Sequence, residues 1–243
     1  MPSPPRLVYV GHATVMIELD GVRFVTDPLI GRRVLHLSRR VGIDIDQAVA
    51  GIDAVLISHV HYDHLDRASL RRFRKSTTVV APRGSGHLLR RFQDVREVEV
   101  GDETQIGEVG VRATPADHVA FRPTVRATAS LGFLLVGSRR VYFAGDTDLF
   151  DSMAELSESL DVALLPVAGW GPRLPPGHLT PESAAQALRL LRPKIAVPIH
   201  WGTFSLPGRP AETSAPEEFR RFAAELAPEV EVRILEPAGA TTF

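Results

Sequence analysis

Residues 58–66 read Ser58-His59-Val60-His61-Tyr62-Asp63-His64-Leu65-Asp66, with three histidines and an aspartate inside six positions. The segment follows Ala54-Val55-Leu56-Ile57, an apolar run that predicts a buried strand. In extended backbone His59 and His61 point to the same side, because strand side chains alternate with a period of two. A turn then lets Asp63 and His64 reach the same place. So dense a group of imidazoles and carboxylates is typical of a metal site and is poorly explained by packing alone.

The composition of the 243-residue chain limits the chemistry that this segment can support. The chain has no cysteine, which excludes disulfide scaffolds, cysteine-based zinc fingers, iron–sulfur clusters and thiol nucleophiles. A bound metal must therefore be held by imidazole, carboxylate or water. The formal net charge of −1 disfavours nucleic acid or an anionic membrane surface as the main partner.

The length of the chain suits one α/β domain, and we expect a single domain over residues 1–243. Residues 1–6 lack the apolar core of a signal peptide, and apolar runs such as residues 131–137 are too short to span a bilayer. We therefore expect a cytoplasmic protein without a transmembrane segment. The oligomeric state stays open.

Short apolar runs dominate the first half of the chain, and helices and strands alternate in the second half. The predicted strands are residues 7–10, 14–19, 22–26, 54–57, 78–81, 97–100, 109–113, 130–136, 141–144, 162–166, 195–199 and 230–235. The predicted helices are residues 66–75, 84–92, 149–159, 180–191 and 215–227. This order predicts two sheets packed together with helices outside.

The pattern His-x-His-x-Asp-His at residues 59–64 resembles the metal-binding motif of the metallo-β-lactamase superfamily. Three further segments of that family's pattern follow in the expected order, namely Thr114-Pro115-Ala116-Asp117-His118, Gly145-Asp146-Thr147 and Pro198-Ile199-His200-Trp201-Gly202-Thr203-Phe204. The resemblance covers nearly the whole chain. It implies an α/β (α+β) fold, a four-layer αβ/βα sandwich of two mixed sheets with outer helices.

The same resemblance implies a site for two divalent metal ions, with every ligand position filled. The implied ligands are His59, His61 and His118 for one ion, Asp63, His64 and His200 for the other, and Asp146 as a bridge between them. Zinc is the expected ion for such an imidazole-rich set, with manganese or iron as alternatives. A water between two such ions ionises near neutral pH, which predicts a metal-dependent hydrolase. Asp63 is a candidate catalytic residue because it can orient that water or accept its proton.

Two strings narrow the resemblance to a subgroup. Gly11-His12-Ala13-Thr14 and His200-Trp201-Gly202-Thr203 resemble the branch that contains N-acylphosphatidylethanolamine-hydrolysing phospholipase D and L-ascorbate-6-phosphate lactonase. The resemblance favours a small-molecule substrate, either a phosphodiester or another phosphorylated compound. Lactone hydrolysis is the main alternative.

Other functions of the superfamily fit this chain less well. Hydrolysis of bilayer phospholipids is disfavoured, because we find no evident apolar segment for membrane docking. RNA processing as in ribonuclease Z is disfavoured by the near-neutral charge. Hydrolysis of β-lactams is disfavoured because Asp146 stands where zinc β-lactamases typically have cysteine. A non-catalytic metal-binding protein is disfavoured because the implied ligand set is complete.

Several residues outside the implied ligand set also call for interpretation. His178 precedes a predicted helix whose N-terminus favours an anion, and the resemblance gives it contact with a substrate phosphate or leaving group, so it is a second candidate catalytic residue. His12 has either a functional or a structural role, and Asp27 either orients a ligand histidine or merely ends a strand. His36 and His87 are expected at the surface. Further candidate substrate contacts lie in loops: Arg32, Arg33, Arg39, Arg40, Arg122, Arg126, Trp170, Arg173 and Trp201.

Overall fold

A computed structural model describes residues 4–44, 48–123, 125, 128–169 and 174–243 of the chain. Its strands are β1 (Arg6–Gly11), β2 (Thr14–Leu19), β3 (Val22–Thr26), β4 (Arg33–Val34), β5 (Leu37–Arg39), β6 (Ala54–Leu56), β7 (Thr78–Pro82), β8 (Val95–Val98), β9 (Glu103–Ile106), β10 (Val109–Pro115), β11 (Leu131–Val136), β12 (Arg140–Phe143), β13 (Val162–Pro166), β14 (Ile195–Ile199), β15 (Phe204–Ser205), β16 (Glu231–Val232) and β17 (Ala240–Thr242). Its helices include α1 (Arg67–Leu70), α2 (Pro181–Leu191) and α3 (Ala215–Leu226), with 3₁₀ turns at Gly86–Leu88 and Asp151–Leu156.

Two mixed sheets of seven strands each form the body of the molecule. The first sheet has the order β17-β1-β2-β3-β6-β7-β8, and the second has the order β16-β14-β13-β12-β11-β10-β9. A small sheet of β15, β5 and β4 lies beside them. The α+β sandwich of two mixed sheets expected from the motifs is therefore confirmed.

The core lies between the two sheets, and the first sheet is also covered on its outer face. Along β1, Leu7 and Tyr9 belong to the core between the sheets, whereas Val8 and Val10 belong to a second apolar cluster. This alternation follows from the period of two along a strand. Burial on both faces explains why the strand sequence is an unbroken apolar run rather than an apolar–polar alternation.

The long helices belong to the second half of the chain, as the sequence predicts. At the start of α2 the Thr180 side chain accepts a hydrogen bond from the Ser183 N–H, and the Ser183 hydroxyl accepts one from the Thr180 N–H. This reciprocal cap, with Pro181 in the first turn, fixes where the helix begins. Within the described residues, the helices are all too short or too polar to cross a membrane. The single domain over residues 1–243 stays a prediction.

Three predicted helices are shorter in the structure than the sequence suggests. The prediction over residues 66–75 gives only α1, and those over 84–92 and 149–159 give only the two 3₁₀ turns. These segments bury few apolar side chains, such as Met153 and Leu156, and a single tight turn already brings two residues three apart to one face. Of these, α1 and the turn at Gly86–Leu88 lie on the outer face of the first sheet, whereas the turn at Asp151–Leu156 packs with α2.

The strand predictions are correct for the central strands and weakest at the sheet edges. The strand expected over 97–100 lies at Val95–Val98, and the one expected over 230–235 is reduced to Glu231–Val232. The sequence does not predict the short strands, which are β4, β5, β9, β15 and β17. With two to four residues each, they carry too little alternation to be recognised before their partners are known.

Candidate metal centre

The candidate site lies where strands of both sheets end at one edge. In the second sheet β12, β13 and β14 are parallel, and β10 has the same direction because it is separated from β12 by the antiparallel β11. In the first sheet β1, β3 and β6 share one direction for the same reason. The carboxyl ends of these strands are followed by His12 (β1), Asp27 (β3), residues 59–64 (β6), His118 (β10), Asp146 (β12) and His200 (β14).

Three imidazoles converge at the first end of the site. Nδ1 of His61 lies 3.0 Å from Nε2 of His59 and 3.2 Å from Nε2 of His118. The outward nitrogens are held in place, since Nδ1 of His118 donates to the Gly177 carbonyl at 2.9 Å and Nδ1 of His59 lies 2.9 Å from the Ser58 hydroxyl. Burial lowers the pKa of His59 well below its ordinary value and that of His61 to about 4. Neutral rings with free lone pairs are what a metal requires.

The second end of the site combines imidazoles with carboxylates. Nε2 of His64 lies 3.1 Å from Oδ2 of Asp146 and 3.7 Å from Oδ2 of Asp63. Nε2 of His200 lies 3.4 Å from Oδ1 of Asp146. Asp146 also faces the first group, with its Oδ2 3.9 Å from Nε2 of His59. The structure thus brings together all seven side chains that the motifs imply as ligands, with Asp146 between the two groups.

Three polar atoms of this cluster lack a hydrogen-bond partner within the part of the chain that the structure describes. Among the described residues, Oδ1 of Asp146, Nε2 of His64 and Nε2 of His200 are buried without a hydrogen-bond partner. Burial by itself lowers the pKa of His64, but the carboxylates of Asp146, Asp63 and Asp27 outweigh it and raise that pKa well above its ordinary value. Buried negative charge therefore accumulates around a single imidazole. Such a donor set fits divalent cations, which would satisfy these atoms and balance the charge.

Asp27 supports the cluster from behind. Its Oδ2 accepts a hydrogen bond from Nδ1 of His64 at 2.7 Å, and its Oδ1 accepts one from the Ser58 N–H at 2.7 Å. The Ser58 hydroxyl also donates to the Asp27 carboxylate. Of the two roles that the sequence left open for Asp27, the geometry matches the orientation of a ligand histidine.

His12 is buried beside the second end of the site. Its backbone has a positive φ of 59° and is clamped on both sides, since its N–H donates to the Thr203 hydroxyl at 2.7 Å and its carbonyl accepts from the His200 N–H at 2.8 Å. Its Nε2 lies 3.1 Å from Oδ2 of Asp63. The ring of His12 therefore contacts Asp63, one of the side chains that the motifs imply as metal ligands. The GHAT string alone did not reveal this contact.

His178 borders the cavity that opens onto the cluster. Its Nε2 lies 3.3 Å from Oδ2 of Asp146, and its Nδ1 donates to the Pro175 carbonyl at 3.1 Å. The cavity has a volume of about 240 Å³ and is lined also by His61, Asp63 and His200. A group bound at the cluster would therefore lie within reach of the His178 ring.

Other residues singled out in the sequence lie elsewhere. Trp201 is buried, donates from its indole N–H to the Pro198 carbonyl at 2.9 Å and stacks on Tyr9, so it packs in the core rather than lining the cavity. The side chains of Arg39, Arg40 and Arg122 donate to backbone carbonyls. Exposed positions are taken by Arg32, Arg33, His36 and His87. Outside the described residues lie Arg126, Trp170 and Arg173.

Several residues around the cavity were not singled out from the sequence. Leu35, Tyr62 and Leu174 line the cavity, and Ser58 connects Asp27 to His59. The position of Ser58 directly before His59 was a usable hint, because a hydroxyl there can reach the outward ring nitrogen. For Leu35 and Leu174 no local pattern distinguishes them from ordinary loop leucines.

Comparisons with known proteins agree with this geometry. A family model described as a beta-lactamase superfamily domain matches residues 22–201. A UPF0173 metal-dependent hydrolase of Methanopyrus kandleri is 32% identical over 96% of this chain and 97% of that protein, and a UPF0173 protein of Pyrococcus furiosus is 31% identical over 89% of each. The structure of Igni18, a metallo hydrolase of Ignicoccus hospitalis, matches with a TM-score of 0.77 and 28% identity over 99% of both chains. This chain therefore belongs to the metallo-β-lactamase superfamily, and within it to the UPF0173 family of metal-dependent hydrolases.

Proposed function

We propose that this hydrolase cleaves an ester bond at a centre of two divalent metal ions. The proposed ligands are His59, His61 and His118 for the first ion, Asp63, His64 and His200 for the second, and Asp146 for both. The observation that carries the proposal is the convergence of seven imidazole and carboxylate groups. Three of their buried nitrogen and oxygen atoms have no hydrogen-bond partner in the described residues and are available to a metal. Zinc suits this donor set, and manganese or iron are the alternatives.

The side chains around the ions have distinct proposed roles. When bound, the ions lower the pKa of a coordinated water and draw charge from the substrate oxygen. Asp63, which is hydrogen-bonded to His12, is oriented to accept a proton from the attacking water. His178 faces the same cavity and is placed to donate a hydrogen bond to the charged oxygen or the leaving group.

For the substrate we propose a phosphodiester or another phosphorylated small molecule. The support is the resemblance of the GHAT and HWGT strings, at residues 11–14 and 200–203, to the phospholipase-D-like branch of the superfamily.

A lactone is the second candidate substrate, and one observation favours it. The described residues that line the cavity include no lysine or arginine, so an uncharged ring ester would meet no unpaired cationic side chain there. The same reacting groups suit both substrates, because each offers an electrophilic atom to an attacking water.

One set of measurements tests the proposal. Metal content of the purified protein is determined, and a diester, a monoester and a lactone are assayed side by side before and after chelation. We expect turnover that disappears with chelator and returns with added metal. Selective turnover of the lactone would replace the phosphodiester as substrate, and absence of metal-dependent turnover on all three compounds would overturn the proposal. An Asp63→Ala protein with full turnover and two bound ions would overturn the role of Asp63.

A further inference from the structure

The cavity over the metal centre has a polar floor and an apolar border. His61, Asp63, Asp146, His178 and His200 form the polar part. Leu35, Tyr62, Leu174 and Pro175 form the border, together with Gly169. Because the described lining contains no lysine or arginine, this border offers contact area rather than charge to a ligand.

Leu35 borders the cavity and has a strained backbone conformation. It lies at the tip of the hairpin formed by β4 and β5, has a φ of +50°, and is 66% exposed. The left-handed conformation is strained for a non-glycine residue, and asparagine or glycine would adopt it more readily. Its exposed side chain buries little apolar area within the fold, so that area is open to a ligand. Strained backbone of this kind clusters at active sites and ligand clamps, and here it lies beside the cavity.

Tyr62 is fixed as a flat wall on the same border. The guanidinium of Arg122 stacks 4.1 Å from the centre of the Tyr62 ring. The same guanidinium donates to the Leu65 carbonyl at 2.9 Å and to the Val60 carbonyl at 3.2 Å. The Arg122 guanidinium is thus hydrogen-bonded to the backbone of the protein. A ligand in the cavity can therefore contact the rigid Tyr62 ring rather than this cation.

We propose that this apolar border binds a hydrocarbon group of the substrate, an alkyl or acyl chain, beside the bond that is cut. The inference rests on the proposed ester hydrolysis and narrows its substrate class to esters with an apolar substituent. The reacting group reaches the polar floor, and the chain lies across Leu35, Tyr62 and Leu174. Each fully buried methylene strengthens binding about fourfold, so the length of the chain sets the affinity.

Inert ligands test this without requiring turnover. Ethylphosphonate and hexylphosphonate are titrated into the metal-loaded protein by calorimetry. We expect hexylphosphonate to bind at least about tenfold more tightly, because four added methylenes are partly buried, with a negative heat-capacity change. In Leu35→Asn, whose new side chain tolerates the left-handed backbone, the ratio of the two affinities falls toward one. Leu174→Ser serves as a second variant with the same expected loss.

The control is Val100→Asn, which changes another exposed apolar side chain, 49% exposed, that does not line the cavity. It should keep the full ratio. Equal affinity for both phosphonates in the unaltered protein overturns the proposal, as does a ratio that survives both Leu35→Asn and Leu174→Ser. An apolar border could instead be an interface between two copies of the chain, and sedimentation velocity tests this. If Leu35→Asn converts a dimer to a monomer, the border is such an interface and the proposal is wrong. Failure of ester hydrolysis is seen separately in the turnover assays.

Discussion

Nδ1 of His64 donates a hydrogen bond to Oδ2 of Asp27 at 2.7 Å, and both side chains are fully buried. The same carboxylate accepts from the Ser58 hydroxyl, which lies 2.9 Å from Nδ1 of His59. Asp27 therefore holds one proposed ligand directly and another through Ser58, and these two histidines belong to the two different ends of the site. A single buried carboxylate thus orients one histidine at each end of the site.

Replacement of Asp27 by asparagine should weaken metal binding without removing the side chain's volume. The uncharged amide cannot accept all three hydrogen bonds, so His64 and His59 lose their fixed orientation. We expect metal affinity to fall about 10- to 100-fold, measured as metal retained against a competing chelator. Glu108→Gln, a charge-removing change at an exposed turn, is the matched control. Unchanged retention in Asp27→Asn would show that the carboxylate plays only a packing role.

His12 should affect turnover and metal binding through its contact with Asp63. In His12→Asn the new side chain tolerates the positive φ but is too short to reach the Asp63 carboxylate, which loses its partner at 3.1 Å. We expect kcat to fall about 10- to 100-fold and one of the two ions to be bound more weakly, measured by titration of metal per chain. His87→Ala, at an exposed histidine, should change neither quantity. Full activity with two tightly bound ions in His12→Asn would contradict this role.

Replacement of His178 distinguishes a role in catalysis from a role in metal binding. We expect His178→Ala to keep its metal content and to lose about 100-fold in kcat, because the lost group acts on the substrate rather than on the ions. The measurement pairs metal analysis with steady-state kinetics, and His87→Ala at an exposed position is the control. Loss of metal from His178→Ala would instead identify His178 as a ligand, consistent with its place beside His118 and Asp146.

Gly145 allows the backbone before Asp146 to pass close to Ser58 and Leu131. Its φ is +64°, and an added Cβ would lie 2.7 Å from the Ser58 Cβ and 2.8 Å from the Leu131 carbonyl oxygen. We expect Gly145→Ala to lower the free energy of unfolding by about 3 kcal/mol, from strain and overpacking together, as measured by urea denaturation. Gly101→Ala, at a φ of +92° with open space around it, should lose only about 1 kcal/mol. Equal losses in the two variants would show that crowding at Gly145 is relieved by local movement.

Two kinds of local information predicted two packed sheets, and the resemblance of the motifs predicted the four-layer sandwich. Strand ends marked by apolar runs showed where the chain turns, and the residues directly after those ends carried the imidazoles and carboxylates. This worked for β6, β12 and β14, whose long or well-bounded runs are buried in the sheets. It failed for helices over 66–75, 84–92 and 149–159, because an apolar pair three residues apart fits a single turn as well as a helix.

The sequence by itself determined the absence of thiolate ligands and the order of the apolar strands, because composition and apolar runs are local properties of the chain. The resemblance of its motifs to a known family added the sandwich fold and the set of side chains available to a metal. Tertiary structure alone decided that His12 meets Asp63, 51 residues away, and that Asp27 lies behind His64. It also decided that Leu35 borders the cavity while Arg122 is turned to backbone carbonyls. These relationships depend on how segments distant in sequence pack against each other, and no local pattern carries that information.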